Sequence, residues 1–357
     1  MKPATKTRKP SIPQELVFEI FSWLPAKSLM RFKCIYKFCN SLVSESDFVD
    51  IHQCRSMIRT GGKKLFAWQD KDFYTIEGKE EGNASRLRIE NFSENLLYNH
   101  IMCTNGLFCC SKKYEECVAV CNPSTKVVRY LPRLKAFAKI DYPGYYYSMG
   151  FDPQEKTYKV LMTVSTRNWV FTLGTDKSWR EIKGIIDFAV TRNNAVYISG
   201  VIYMLNYAEG NAFIVAFDVK NENFRIITLW NPSYHRAYFY NTRKVNGKLA
   251  ILDMRNYFDC GDNMDMWILE NQTQNEGWEK HIIRIPLERT RFCNYCDGEI
   301  LFTKTIKSRQ FIRLCYDDRE KRWREFIIKG LPEVGLINGV YSYAESLFPV
   351  EKICNSS

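Results

Sequence analysis

The chain of 357 residues carries a formal net charge of +11, 45% hydrophobic residues, thirteen cysteines and four histidines. That length holds one large domain, or a small one beside a large one, and excludes a marginal miniprotein. No apolar run approaches the roughly 18 residues a membrane helix needs, and outside a basic N-terminal region the Lys and Arg stand singly between acids, without the stripe a nucleic-acid groove requires.

In chain order, residues 1–9 within MKPATKTRKP read as a basic disordered tail with no apolar leader. The cysteines beyond it are therefore read as reduced thiols, and Cys103, Cys109, Cys110 and Cys121 sit inside apolar runs where a thiol packs like a small hydrophobe. A cytoplasmic and/or nuclear address is expected. From Leu16 to Leu24 every residue but Glu19 and Ser22 is apolar. A helix over about 13–23 is expected, with Ser11 and Gln14 at capping-box spacing and Pro13 at its start. A second short helix follows through Ser28–Phe32 and a third through Ile35–Val43, the last placing Ile35, Phe38 and Leu42 on one face. Helices this short are marginal alone, and a helix apolar on every side is normally covered on every side. One face can pack on the two partner helices. The other awaits either a separate protein or this chain's own large domain.

Residues 53–62, ending in Gly61-Gly62, read as a linker. Beyond them short apolar and aromatic runs alternate with turn residues, which argues strands. A small polar residue and Gly ahead of an apolar strand recur at Asn105-Gly106, Ser199-Gly200, Asn246-Gly247, Asp297-Gly298 and Asn338-Gly339, with glycines 94, 47, 51 and 41 residues apart. The missing repeat in the double interval falls near Ser148-Met149-Gly150. A second pattern keeps step: an apolar strand, an Asp-rich turn at Asp152, Asp218 or Asp317, then Tyr158, Trp179, Phe224, Trp278 or Trp323 opening the next strand. Periods of about 40–50 with several strands each are the mark of propeller blades. Residues 63–350 then give about six, with an irregular β-sandwich array as the competing arrangement, and residues 351–357 read as a tail.

The segment IPQELVFEIFSWLPAKSLMRFKCIYKFCNSLVSESDFVDIH resembles an F-box, through Ile12-Pro13-Gln14-Glu15, Leu24-Pro25-Ala26-Lys27-Ser28-Leu29 and Arg31-Phe32-Lys33-Cys34. The rest of the chain resembles the F-box-associated interaction domain of a large plant family, in NGLFCC, VCNPSTKVVRYLP, MGFDPQEKTYKVL, MWILEN with GWEKH, and NGVYSYAESLF. The resemblance implies an α+β multidomain chain: a small three-helix F-box over residues 10–52, then an all-β propeller-like domain. It implies a substrate receptor of a ubiquitin ligase complex in the ubiquitin conjugation pathway, docking on a Skp-type adaptor and through it a cullin, and holding an unidentified target protein. Such a receptor does no bond chemistry and is not an enzyme. Carried over residue by residue, the adaptor surface would comprise Pro13, Leu16, Ile20, Leu24, Pro25, Lys27, Ser28, Leu29, Phe32, Lys33 and Cys34, with Arg31 and Lys37 adding to its positive charge. The chain departs from the family at Ile12, usually Leu; at Trp23, usually a charged residue nearby; and at Cys39, where a tryptophan is usual. Phe38 or Trp23 would have to fill the space that a Trp-to-Cys change leaves.

Other constellations carry little chemistry. The histidines 52, 100, 235 and 281 have no metal-ligand spacing, Cys293 and Cys296 form a lone CxxC, and Asp259, Asp262 and Asp265 lack calcium-loop order. No catalytic motif, metal or cofactor is expected. Target contacts are expected from aromatic loops: Tyr145 and Tyr146 in YPGYYY, and Tyr234, His235, Arg236, Tyr238 and Tyr240 in WNPSYHRAYFYNTR. The competing classes are a propeller enzyme, a glycosidase or oxidase, and a carbohydrate- or nucleic-acid-binding propeller not engaged with a ligase.

Overall fold

The computed structural model describes residues 12–35, 37–69, 72–77, 81–89, 100–112, 116–134, 144–164, 166–183, 195–208, 210–233, 239–258, 261–271, 276–285, 291–296, 299–305, 311–317, 322–332 and 337–350. The chain opens with four helices, α1 (Gln14–Ser22), α2 (Ala26–Lys33), α3 (Lys37–Leu42) and α4 (Ser46–Ile58). Pro13 and Pro25 occupy the N-cap positions of α1 and α2, and neither helix start has a side-chain cap. Three helices were expected. The fourth runs through residues 53–58, which the sequence suggested as linker, because its inward residues Phe48, Val49, His52, Gln53 and Ser56 follow helical spacing and are all buried. Ser11, half of the expected capping box, lies outside the described residues.

Among the described residues the remainder is built of strands, apart from a one-turn helix, α5 (Arg255–Phe258). The first three are β1 (Lys63–Gln69), β2 (Asp72–Glu77) and β3 (Glu81–Arg86). Four antiparallel sheets of four follow in chain order: β4 (His100–Thr104), β5 (Leu107–Ser111), β6 (Val118–Asn122) and β7 (Val127–Tyr130); β8 (Tyr145–Asp152), β9 (Thr157–Val164), β10 (Arg167–Thr172) and β11 (Arg180–Ile182); β12 (Ala195–Ile198), β13 (Val201–Ala208), β14 (Asn211–Asp218) and β15 (Asn223–Ser233); β16 (Tyr240–Val245), β17 (Lys248–Asp253), β18 (Asn263–Asn271) and β19 (Glu276–Arg284). The last strands are β20 (Arg291–Cys296), β21 (Glu299–Thr305), β22 (Phe311–Asp317), β23 (Arg322–Lys329) and β24 (Ile337–Ala344).

Among the described residues the propeller has five sheets rather than about six, because its first and last units share one. That sheet runs β20-β21-β22-β23-β3-β2-β1-β24. A short parallel pairing of Ile327–Lys329 on β23 with Glu81–Asn83 on β3 fuses the units. The ring is closed elsewhere, by β24 pairing antiparallel with β1 from Lys63 opposite Ala344 to Trp68 opposite Gly339. The C-terminal strand thus supplies the unit that the N-terminal strands begin, which removes the open edges a linear array would expose.

Turn chemistry explains the sequence repeats. Asn105-Gly106, Ser199-Gly200 and Asn246-Gly247 have φ values of 43 and 83, 46 and 89, and 48 and 81 degrees. Paired left-handed residues are what a two-residue type I′ hairpin demands, and each pair joins the first and second strands of its sheet. Gly150 and Gly339 lie inside β8 and β24 instead, and Asp297-Gly298 falls outside the described residues. The second repeat is a turn closed by a side chain. Asp152 Oδ1 accepts from the N–H groups of Gln154 and Glu155 at 2.9 and 3.2 Å, and Asn122 Oδ1 accepts from Ser124 and Thr125 at 2.9 and 3.4 Å.

The aromatic residue after such turns is a staple between neighbouring sheets. Trp179 Nε1 donates to Pro132 O at 2.6 Å, Trp278 Nε1 to Thr228 O at 3.0 Å and Trp323 Nε1 to Arg284 O at 2.7 Å. Each indole reaches back to the end of the preceding unit. Tyr158 and Phe224, which hold corresponding places in the sequence repeat, are buried.

Candidate protein-interaction surfaces

The four N-terminal helices wrap their own inner faces around Leu29, Leu42, Val43, Phe48 and Val49, with Phe18, Phe21 and Leu24 packed on that cluster from α1 and its end. Phe18 meets Phe48 edge-on at 5.2 Å, and Phe21 stacks on Phe32 at 5.5 Å. The helical unit sits on one end of the propeller, the end that carries the tight turns. Gln53 Nε2 donates to Asn105 O at 2.6 Å, and Lys156, in the turn between β8 and β9, pairs with Asp47 at 3.0 Å and Asp50 at 2.7 Å. His52 is buried with Nε2 2.9 Å from Leu24 O. Burial pulls its imidazole below the ordinary value of 6.5, and the Arg59 guanidinium pushes the same way against Leu24 O and Glu345.

The opposite side of α1 is bare. Leu16 is 53% exposed and Ile20 54%, one turn apart, with Ile12 at 65% and Trp23 at 41% continuing the stripe. Of the residues carried over from the family, Pro13, Pro25, Lys27, Phe32 and Cys34 are also exposed, and Leu24, Ser28 and Lys33 are half-buried. Leu29 does not belong to that surface: at 0% exposure it is part of the core of the helical unit, because α2 turns it toward α3 and α4. On α3 the expected single face is divided, Leu42 inward and Phe38 and Ile35 outward, since the helix begins only at Lys37. Cys39 is buried, while Trp23 and Phe38 stay 41% and 39% exposed, so neither moves inward to replace the family's tryptophan. Trp23 is engaged on the outer side of α1, where its Nε1 donates to Glu19 Oε1 at 3.1 Å and the Arg55 guanidinium lies 4.8 Å over its ring. Hydrogen bonds from Arg55 and Trp23 hold the Glu19 carboxyl below its usual range.

At the far end of the propeller run the connections between second and third strands and those between successive sheets. Of the residues expected there, Tyr234, His235, Arg236 and Tyr238 lie outside the described residues. Tyr145 and Tyr240 point inward, not to solvent: Tyr145 stacks with Tyr147 at 6.4 Å and Tyr240 lies 5.5 Å from Trp230. Strand alternation causes this, because both follow the inward period of the first strand in their sheets. Tyr146, the alternate residue, is half-buried.

Sequence reasoning missed the residues that join the two domains, Gln53, Arg59, Lys156, Glu345 and Leu347. Each of these contacts joins residues far apart in the chain, such as Glu345 with Ala26 and Gln53 with Asn105, and no local spacing or hydrophobic period marks them. Among the described residues no group of three metal-ligating side chains is present, and Asp265 is paired with Lys280 at 2.7 Å. Eight described cysteines are free, and burial pushes the Cys109 thiol up to about 12, where it is unreactive. Cys293, Cys296 and Asp259 have no described side chains.

Comparison with known proteins agrees with this division of the chain. A family model described as the F-box associated beta propeller domain matches residues 65–347, and an F-box domain model matches residues 10–50. F-box protein At5g65850 of Arabidopsis thaliana is 31% identical over 296 residues, covering 79% of this chain and 73% of that protein. F-box protein DOR of the same species is 30% identical over 318 residues, covering 81% and 78%.

Proposed function

This chain belongs to the plant F-box proteins that carry an F-box-associated β-propeller domain, and from that premise we propose that it is the substrate-recognition subunit of a Skp–cullin–F-box ubiquitin ligase. One observation carries the reading. The propeller covers the α2 and α4 side of the F-box and leaves Leu16, Ile20, Ile12 and Trp23 uncovered, so the apolar surplus of α1 calls for a second protein. Fully burying each such side chain contributes roughly 1.5 to 3 kcal/mol, and exposed Lys27, Arg31 and Lys37 around it suit an acidic adaptor. The target would be held at the opposite end of the propeller, where the longer connections gather, and the ligase's other subunits would transfer ubiquitin to it. The chain's contribution is proximity, not bond chemistry. A cytoplasmic and/or nuclear address belongs to the same proposal.

Purified Skp-type adaptor tests the first half. Wild-type chain should retain it, and Leu16→Asp with Ile20→Asp should abolish retention while leaving thermal unfolding unchanged. An adaptor that ignores the wild-type chain, or binds the double variant equally well, would sink the reading. For the second half, replacing Tyr234, Arg236 and Tyr238 together by alanine should leave adaptor binding intact and remove the proteins that co-purify with the propeller.

A further inference from the structure

The core of the F-box is not closed by F-box residues alone. Leu347, 4% exposed, belongs to the same cluster as Leu29, Leu42 and Phe48. Phe348 packs on that cluster too, and its ring lies 4.6 Å from Tyr158 in the propeller. Glu345, 2% exposed, accepts the Ala26 N–H at 3.0 Å, pairs with Lys64 at 3.0 Å, and forms an ion pair with Arg59, which in turn donates to Trp23 O at 2.8 Å. Asn122 Nδ2 holds the segment from the other side, donating to Ser346 O at 2.9 Å and Phe348 O at 3.2 Å.

These contacts have a common origin. All come from the chain immediately after β24, the strand whose pairing with β1 closes the ring. The start of α2 has no side-chain cap and no acid in its first turn, so the N–H of the fully buried Ala26 and the positive dipole end of the helix depend on an acceptor from outside the F-box. Glu345 supplies both the acceptor and the negative charge. A buried carboxylate is tolerable there because two cations and a backbone donor surround it.

We infer that residues 345–348 form a latch through which closure of the propeller orders the F-box, so that α1 and α2 take their adaptor-binding arrangement only in a chain whose ring is complete. The link to adaptor binding rests on the proposed function; the ordering of the F-box does not.

The full-length chain tests it, with Glu345→Gln, which keeps an acceptor for Ala26 while removing the charge, with Leu347→Ala, and with Glu270→Gln, on an exposed ion pair in the fourth four-stranded sheet, as control. Amide hydrogen exchange is followed in the helices and in β8–β15, and affinity for purified Skp-type adaptor is measured beside it. Both latch variants should speed exchange in α2 and α4 and weaken adaptor binding, each by about tenfold, a coupling of ordinary size, while β8–β15 and the control stay unchanged. Wild-type exchange in α2 and α4 would overturn the latch. So would equal acceleration in helices and sheets, which is general destabilisation, and so would accelerated helices with unaltered adaptor affinity. Should the wild-type chain bind no adaptor, the proposed function falls and the exchange pattern alone decides whether the latch orders the F-box.

Discussion

Leu16 and Leu29 are the same residue type on successive helices with opposite duties. Leu29 fills the F-box core at 0% exposure, and Leu16 stands in solvent at 53%. Leu29→Ala should therefore cost about 2 to 5 kcal/mol of F-box stability and lower adaptor affinity only through that loss, which thermal unfolding and binding measured on the same samples would reveal. Leu16→Ala should leave stability within about 0.5 kcal/mol and weaken binding directly. His52 makes a second prediction at this scale. Its folded-state value lies below 6.5, so the unfolded chain takes up the proton more readily, and the stability this site confers is complete above about pH 6.5 and lost as pH falls through the depressed value. Its Nδ1 is buried without a partner, and Arg59 would repel the imidazolium there while Glu345 attracts it. The informative measurement is a difference: His52→Gln, which can still donate to Leu24 O, should show a shallower loss of α4 exchange protection between about pH 7 and 5 than the wild type. Equal slopes would remove His52 from the account.

At the level of elements, much was written in the sequence where a turn demands a particular residue. Paired left-handed φ values need Asn-Gly or Ser-Gly, and those dipeptides marked three hairpins in advance. The same signal misfired at Gly150 and Gly339, which sit inside strands: an added Cβ at Gly339 would lie 2.8 Å from the Tyr341 ring, so close packing selects that glycine rather than a turn. Helix α4 escaped notice because three of its five buried residues, His52, Gln53 and Ser56, are polar. His52 and Gln53 are matched by carbonyls of Leu24 and Asn105, the latter on a distant turn, and no period of hydrophobicity records such a match. Tyr145 and Tyr240 misled for the converse reason, since an aromatic run reads alike whether it faces a partner or a core. The hairpin glycines also differ in a testable way. Gly247→Ala meets nothing within 4 Å and should cost about 1 to 2 kcal/mol for its left-handed backbone. Gly106→Ala adds a methyl 2.5 Å from Ala344 O, beside the closing strand, and should cost distinctly more. Midpoints of thermal unfolding would rank them, and equal midpoints would show that the closing strand yields freely at Ala344.

For the molecule as a whole, the ring and the F-box are finished by the same stretch of chain. Strand β1 places Phe66, Ala67, Trp68 and Gln69 in the interior, yet one of its edges waits for β24, more than 260 residues later in the sequence. Until that strand arrives, an apolar edge stands open, which is the condition for pairing with other chains. Closure over so long a separation also makes formation of the native ring slow, because the loop entropy is lost before the contacts form. A chain ending at residue 336 should consequently aggregate and unfold without a single cooperative transition, measured by sedimentation and by heat. A chain ending at Val350 retains β24, Glu345 and Leu347 and should behave as the full chain does. If the shorter chain were monomeric and cooperative, the four intermediate sheets would be self-sufficient and β24 an accessory. The pairing register argues otherwise: residues 63–69 of β1 are hydrogen-bonded to β24 along their whole length, and their inner side chains share clusters with Val340 and Tyr343 from that strand. The ring and the helical unit are therefore finished together, since the strand that pairs with β1 runs directly into Leu347 and Phe348, which pack on the core of the F-box helices.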